Sequence, residues 1–384
     1  VPERTYLITP GPTPVPPEVA AAMARPLIHH RSPDFKVLLE QTLAQLRRAF
    51  ATEQEVLLFA GSGTSAMESA VANLLSPGDD VLVASAGNFG DRWTKIARAY
   101  GIEPRIHAQP WGEPLDPAAV AGQAQDAVAV YITHSETSTG VVHDVRAIAE
   151  ALRPTGALLV VDAVSSLGGV ELAMDDWGVD VVVSGSQKAL MTPPGLAFVA
   201  ASERAWAISE QAALPRFTLD WRVTRDSQEK VQTPFTPPIT LVAGLNAALA
   251  MIEADGPETV WARNRLLGRA SREGAKALGL ELFSPDDDSS SMVTAVQMPE
   301  GVDGQQVYGL LRDRFGVVLA GGHGRLRGKV IRIGHMGYMN RFDIITALSA
   351  LELVLGDLGY RAPTAGAGAA RAVEVFAQLE TSRV

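Results

Sequence analysis

Residues 157–188 read ALLVVDAVSSLGGVELAMDDWGVDVVVSGSQK, with two short apolar runs, ALLVV and VDVVV, separated by a turn-rich and acidic stretch. Each run is too short for a stable helix, is rich in β-branched valine and is apolar at successive positions. That pattern describes strands buried on both faces, as in a parallel sheet covered by helices. The first run ends on Asp162, and the second passes through Ser184, Gly185, Ser186 and Gln187 to Lys188. In open α/β sheets the carboxyl ends of neighbouring parallel strands line one crevice, where ligands bind. Asp162 and Lys188 are therefore expected in the same crevice.

The alternation continues on both sides of this stretch. SPDFKVLLEQTLAQLRRAF, from residue 32, has a serine N-cap, proline at the first helical position and apolar residues at helical spacing. Strand-like EVLLFA, DVLVAS, EPRIHA and AVAVYIT then alternate with helix-like SAMESAVANLL, DRWTKIARAY and VRAIAEALRP. Residues 215–238, PRFTLDWRVTRDSQEKVQTPFTPP, lose periodicity and read as an irregular crossing before a long helix from about 239. Residues 292–357 read strand, helix, strand, strand, helix, as in a small α+β unit. The division expected is an N-terminal segment at 1–20, a large domain at 21–255, a small domain at 256–360, and a linker with a C-terminal helix at 361–384.

Composition narrows the function classes. The chain has 384 residues, 33 Lys+Arg against 43 Asp+Glu for a net charge of −10, and no cysteine. An acidic chain without a basic block argues against nucleic acid or anionic membrane as partner. Lack of cysteine removes disulfides, thiolate metal sites and cysteine nucleophiles. The first residues, VPERTYLITPGPTPVPP, lack a signal-peptide succession, and no apolar run approaches the roughly 20 residues of a membrane helix. The expectation is a soluble, cytoplasmic protein that acts on small molecules.

An isolated buried ammonium is costly, so a lysine directly after a buried strand is solvated, paired or chemically used. A structural ion pair with Asp162 is one reading. The other is pyridoxal phosphate chemistry, which needs a lysine to bond the cofactor aldehyde and a carboxylate to keep the pyridine nitrogen protonated. FAGSGTSAMES, residues 59–69, supplies a strand, a Gly-Ser-Gly-Thr turn and a helix N-terminus suited to a phosphate. The same segment fits the G-x-G-x-x-A pattern of a nicotinamide-dependent oxidoreductase, with Asp79 and Asp80 as ribose contacts. That alternative leaves Lys188, Asp162 and Arg332 unexplained. The histidines show no metal-ligand spacing, and no metal is expected.

VDAVSSLGG, SGSQKAL with PPG, AGSGTSAMES, THSETSTG, TPGPTPVP and GKVIRIGHMG together resemble the class V (subgroup IV) aminotransferases, nearest the alanine–glyoxylate/serine–pyruvate family. The resemblance spans about residues 5–357. It implies pyridoxal phosphate fold type I: α/β, a large domain with a mostly parallel seven-stranded sheet sandwiched by helices, and a smaller C-terminal α+β domain. It also implies a homodimer with shared active sites and transfer of an amino group from a small amino acid, alanine or serine favoured, to glyoxylate or pyruvate. Phosphoserine, aspartate and ureidoglycine remain alternative donors.

Carried over by residue, the resemblance makes Lys188 the Schiff-base lysine and Asp162 the partner of the ring nitrogen. Phosphate contacts fall on Ser62, Gly63, Thr64 and Gln187, with Thr236 reaching across from the other subunit. Phe89 stacks on the ring, Val164 touches the opposite face, and Thr137 lies near the ring oxygen. Arg332 grips the substrate carboxylate through a two-pronged pair, and Gly11 lines the substrate pocket. Two positions depart from the family pattern: Thr233 stands where a phosphate-binding tyrosine is frequent, and Ser135 where glycine or asparagine is common.

Overall fold

The computed structural model describes residues 4–286 and 292–380; the ends of the expected N-terminal and C-terminal segments, and part of the expected small domain, lie outside them. At its centre is a seven-stranded sheet. Across it the strands run Val56–Gly61, Gly195–Ala201, Val181–Gly185, Leu158–Asp162, Ala129–Thr133, Val81–Ser85 and Arg105–Ala108. All are parallel except Gly195–Ala201, which pairs antiparallel with both its neighbours.

Alternation of side chains splits each strand between two apolar layers. Leu159, Val161 and Val182 pack with helix residues such as Leu39, Leu46 and Leu245 on one face. Leu158, Val160, Val181 and Val183 pack with Met67, Ala70 and Trp93 on the other. Both faces of the central strands are thus removed from water, which is why their sequences are apolar at successive positions rather than at alternate ones.

A second apolar core gathers Ile8, Leu267, Val296, Ile331, Ile333 and Leu351. It surrounds a three-stranded antiparallel sheet in which Val330–Gly334 lies between Val293–Gln297 and Ala320–Gly321. The short strand Tyr6–Leu7 pairs in parallel with Val317–Val318. From there the N-terminal segment crosses to the large sheet, where the Thr13 amide donates to Gln187 O at 3.1 Å and its hydroxyl to Lys188 O at 2.7 Å. The final helix, Ala367–Glu380, buries Ala372, Val375 and Phe376 in the second core.

One expectation is corrected. Residues 215–238 are not irregular throughout, because Trp221–Gln228 form a helix. Asp220 caps it by accepting from the amides of Arg222 and Val223, and the fully buried Trp221 donates from its indole to Ser69 Oγ at 3.2 Å. Its buried face is Trp221, Thr224 and Gln228, and Gln228 accepts from Leu58 N and donates to Val56 O; two of these three side chains are polar, so the sequence shows little apolar periodicity.

Among the described residues no single helix is long and apolar enough to cross a membrane; Ile239–Asp255 and Pro257–Ala277 pass such a test only as a pair, and are bent by 88° at their junction.

Candidate active site

The strand register decides which side chains meet. Asp162 is the last residue of its strand and lies beside Thr133 on one neighbour and Val183 on the other. Lys188 follows the end of the adjacent strand, Gly185, by one short turn. Both therefore reach the crevice at the carboxyl edge of the sheet, which is also lined by Ser62, Gly63, Thr64, Phe89, Val164 and Gln187.

Asp162 is buried, and its Oδ1 accepts from the Val164 amide at 2.8 Å. Burial raises its pKa to about 6 against the opposing pull of that amide, Arg92 and Lys188. Lys188 Nζ donates to Pro10 O at 2.6 Å. Burial first, and the nearby Arg332 charge second, bring the Lys188 pKa down to about 8. A lysine with that value exchanges protons near neutral pH, as acid–base chemistry requires.

Gly11 lies against the lysine. A Cβ there would collide with the Lys188 side chain, and its φ of +135° is a conformation that L side chains rarely adopt. Gly63 has a similar steric reason: a Cβ would run into the Val164 side chain, so only glycine lets the N-terminus of the Gly63–Leu74 helix close on that residue. The first amides of this helix have no intrahelical acceptor, the property that suits a helix N-terminus to an anion.

Arg332 sits on the central strand of the small sheet, opposite Ala295 and Ala320. It is buried; Nε donates to Gly321 O at 3.0 Å and Nη1 to Thr137 O at 2.7 Å. Among the described residues it forms no ion pair, and burial lowers its pKa to about 10 while the Glu136 charge opposes the change. Thr137 is thus tied to the arginine through its carbonyl. Thr236 is exposed and does not line its own chain's crevice, whereas Thr233 is buried and donates to Phe235 O at 2.8 Å.

The crevice suits pyridoxal phosphate. Gln187 Oε1 and Thr137 Oγ1 are buried without a hydrogen-bond partner, the glycine at 63 keeps the helix N-terminus close, and a carboxylate and a lysine converge beside an aromatic ring. By contrast, Asp79 accepts from the Ser76 amide and Asp80 pairs with Arg105, both before the Val81–Ser85 strand begins. Neither reaches the crevice as a ribose contact would.

The family model described as aminotransferase class-V matches residues 5–345. The chain belongs to the class V aminotransferases. It is a pyridoxal phosphate-dependent transaminase with the α/β architecture of fold type I. One similar chain, 45% identical over 97% of this chain and 99% of its own length, is a protein of Synechococcus sp. named soluble hydrogenase, small subunit. An L-aspartate–glyoxylate aminotransferase of Paracoccus denitrificans is 38% identical over 97% of this chain and 96% of its own. Among solved structures, pyridoxamine–pyruvate aminotransferase from Mesorhizobium loti superposes with a TM-score of 0.93 at 32% identity, covering 98% of this chain and 99% of that one.

Several neighbours of this aminotransferase's crevice were not singled out from sequence. Arg92 lines it. Glu136 is buried behind it and accepts from the amides of Phe89 and Gly90. Pro10 supplies the carbonyl that holds Lys188. Arg92 and Glu136 lie within stretches already conspicuous, AGNFGDRW and THSETSTG, but nothing in a single sequence separates them from ordinary helix-face and loop residues.

Proposed function

We propose that this transaminase moves an amino group from a small amino acid, alanine or serine favoured, to glyoxylate or pyruvate. The observation that carries the reading is Arg332, a buried cation with no ion pair among the described residues, whose charge reaches Lys188. A buried guanidinium of this kind matches a substrate carboxylate, with two parallel N–H donors fixing its orientation. When bound, pyridoxal phosphate supplies an aldehyde carbon that carries the amino group between substrates and a protonated ring that withdraws electrons.

The chain's own residues do the rest. Arg332 holds the carboxylate and Gly11 leaves room beside Lys188. Lys188, its pKa lowered, would take the α-proton as a neutral amine and deliver it as an ammonium to the carbon that carried the aldehyde. Asp162 would accept from the ring nitrogen of the bound cofactor and keep it protonated by charge. Ser62, Gly63, Thr64 and Gln187 would hold the phosphate, Thr137 the ring oxygen, and Phe89 and Val164 the two ring faces.

Names of similar proteins support glyoxylate and pyruvate as acceptors and leave aspartate as the second donor to weigh. The hydrogenase name does not carry over, because iron–sulfur clusters are held by cysteine thiolates and these 384 residues contain none. The test is a panel of alanine, serine, aspartate, phosphoserine and ureidoglycine against glyoxylate, pyruvate and 2-oxoglutarate, read as single-turnover bleaching of the bound cofactor. Alanine or serine should react fastest. Turnover confined to aspartate with 2-oxoglutarate overturns the assignment.

The same reading includes a cytoplasmic homodimer with shared sites. Supporting it, Thr236 is exposed beside the exposed aromatic pair Phe217 and Phe235, ring centroids 5.7 Å apart. An apolar groove that includes Met23, Leu27, Ile28, Leu38 and Ile239 lies apart from the crevice. A partner covering this surface would bring its Thr236 to the phosphate. The proposed domain division keeps boundaries near 20, 255 and 360; the apolar layers on the large sheet and the second core support a change near 255, while Ile8, Ala372, Val375 and Phe376 join the second core from beyond the other two.

A further inference from the structure

We propose that Arg92 is a phosphate-binding residue, the cation that completes the anion site formed by the first amides of the Gly63–Leu74 helix, Thr64 and Gln187. The inference rests on the reading that this turn holds the cofactor phosphate, and it adds a charged partner that the turn itself lacks.

Charge balance raises the need. A phosphate monoester carries close to two negative charges at neutral pH, while the turn offers neutral donors and about half a positive charge from the helix dipole. Lys188 and Arg92 are the cations lining the crevice. Lys188 is committed to the reacting carbon, which leaves Arg92.

Geometry places it. Arg92 Nη1 donates to Thr64 Oγ1 at 2.9 Å, and its guanidinium lies 4.7 Å from the Phe89 ring centroid. Stacking on an aromatic face pre-orders a planar guanidinium, so little freedom is lost when it meets an anion. Among the described residues Arg92 pairs with no carboxylate, while its charge is felt at both Asp162 and Lys188.

Its base is fixed as well. Arg92 is in the first turn of the Gly90–Ala99 helix. Glu136 pins that N-terminus, with Oε2 accepting from Phe89 N at 3.0 Å and Gly90 N at 2.9 Å, and Oε1 accepting from Ser138 N at 3.1 Å. A Cβ on Gly87 would collide with this buried carboxylate, so loop and acid are closely fitted.

The experiment compares pyridoxal phosphate with pyridoxal, which shares the ring and aldehyde but has no phosphate. Affinities are measured by titrating full-length apoenzyme of wild type, Arg92→Gln and Arg92→Lys. Loss of a charge-assisted contact should weaken pyridoxal phosphate about 10- to 100-fold in Arg92→Gln and less in Arg92→Lys. Pyridoxal should change by less than about twofold, because a residue bonding only the phosphate leaves the ring contacts intact. Inorganic phosphate should raise the apoenzyme Tm in wild type and not in Arg92→Gln.

Equal weakening of both ligands would mean that Arg92 merely supports Phe89, and overturns the proposal; so does unchanged affinity for both. Gln187→Ala serves as the reference. If it discriminates between the ligands and Arg92→Gln does not, this inference fails alone. Failure of both variants to discriminate removes the phosphate from the turn altogether. Should the glutamine variant not fold, the lysine variant and its response to inorganic phosphate decide the matter.

Discussion

Replacing Lys188 by methionine should make the cofactor-free protein more stable at neutral pH, although it removes the residue on which the chemistry turns. The side chain is held in a crevice where burial and the Arg332 charge lower its pKa from the ordinary 10.5 to about 8. Such a depression means that keeping the ammonium charged inside the fold costs about 3 kcal/mol at pH 7 relative to the unfolded chain. Methionine fills nearly the same volume without charge.

One loss opposes the gain. The hydrogen bond to Pro10 O disappears, which costs about 1 kcal/mol; the attraction to Asp162 is already contained in the lowered pKa of Lys188. A net stabilisation of about 2 kcal/mol remains. The sign with pH follows from linkage: between about pH 8 and 10.5 the folded chain binds fewer protons at this site than the unfolded chain, so wild-type stability rises across that window. The advantage of the methionine variant should therefore shrink from pH 8 upward. Urea unfolding of both apoproteins at one protein concentration, followed by tryptophan fluorescence, measures the difference. A variant no more stable than wild type at pH 7, or an advantage that grows with pH, would refute the claim that this ammonium is held at a cost.

Asp162→Asn should reduce transamination by at least about 100-fold while leaving the Tm close to wild type, since the amide fits but cannot hold a ring proton by charge; unchanged turnover would place the cofactor elsewhere. For Arg332→Lys, KM for every amino and keto acid should rise about 10- to 100-fold, because an ammonium cannot reproduce the paired geometry; amines without a carboxylate serve as the control and should be unaffected. Gly11→Ala should suppress activity and weaken retention of the cofactor, as its Cβ meets Lys188 at a backbone angle of +135°; a fully active alanine variant would contradict the close approach. Mixing inactive Lys188→Ala chains with impaired Thr236→Ala chains should restore up to about half of native activity per mixed dimer, because shared sites confine both lesions to one of them. No recovery despite subunit exchange proven by mass spectrometry would put all phosphate contacts in one chain.

Much of this was legible because burial leaves a direct trace in sequence. Strands covered on both faces must be apolar at successive positions, so the runs around Asp162 and Lys188 announced a helix-covered parallel sheet. Residues whose backbone or chemistry tolerates little substitution, such as Gly63 after a strand and Lys188 before Pro193-Pro194-Gly195, marked the crevice in the same way. The helix Trp221–Gln228 was missed because its buried face is one indole and two polar side chains, Thr224 and Gln228, which leave no apolar periodicity.

The sequence alone determined the class of architecture, the presence of Asp162 and Lys188 in one crevice at the sheet edge and the family to which these motifs belong, since each depends on local pattern and chain order. Only the tertiary structure decided that Arg332, on a different sheet, hangs from the carbonyl of Thr137. The same holds for Pro10 capping the lysine, and for Glu136 and Arg92 flanking Phe89. These contacts join segments far apart in the chain, and the side chains that make them are chosen by register, strand ends and close backbone approach. No periodicity records such choices, because they are properties of the packed layers rather than of any single element.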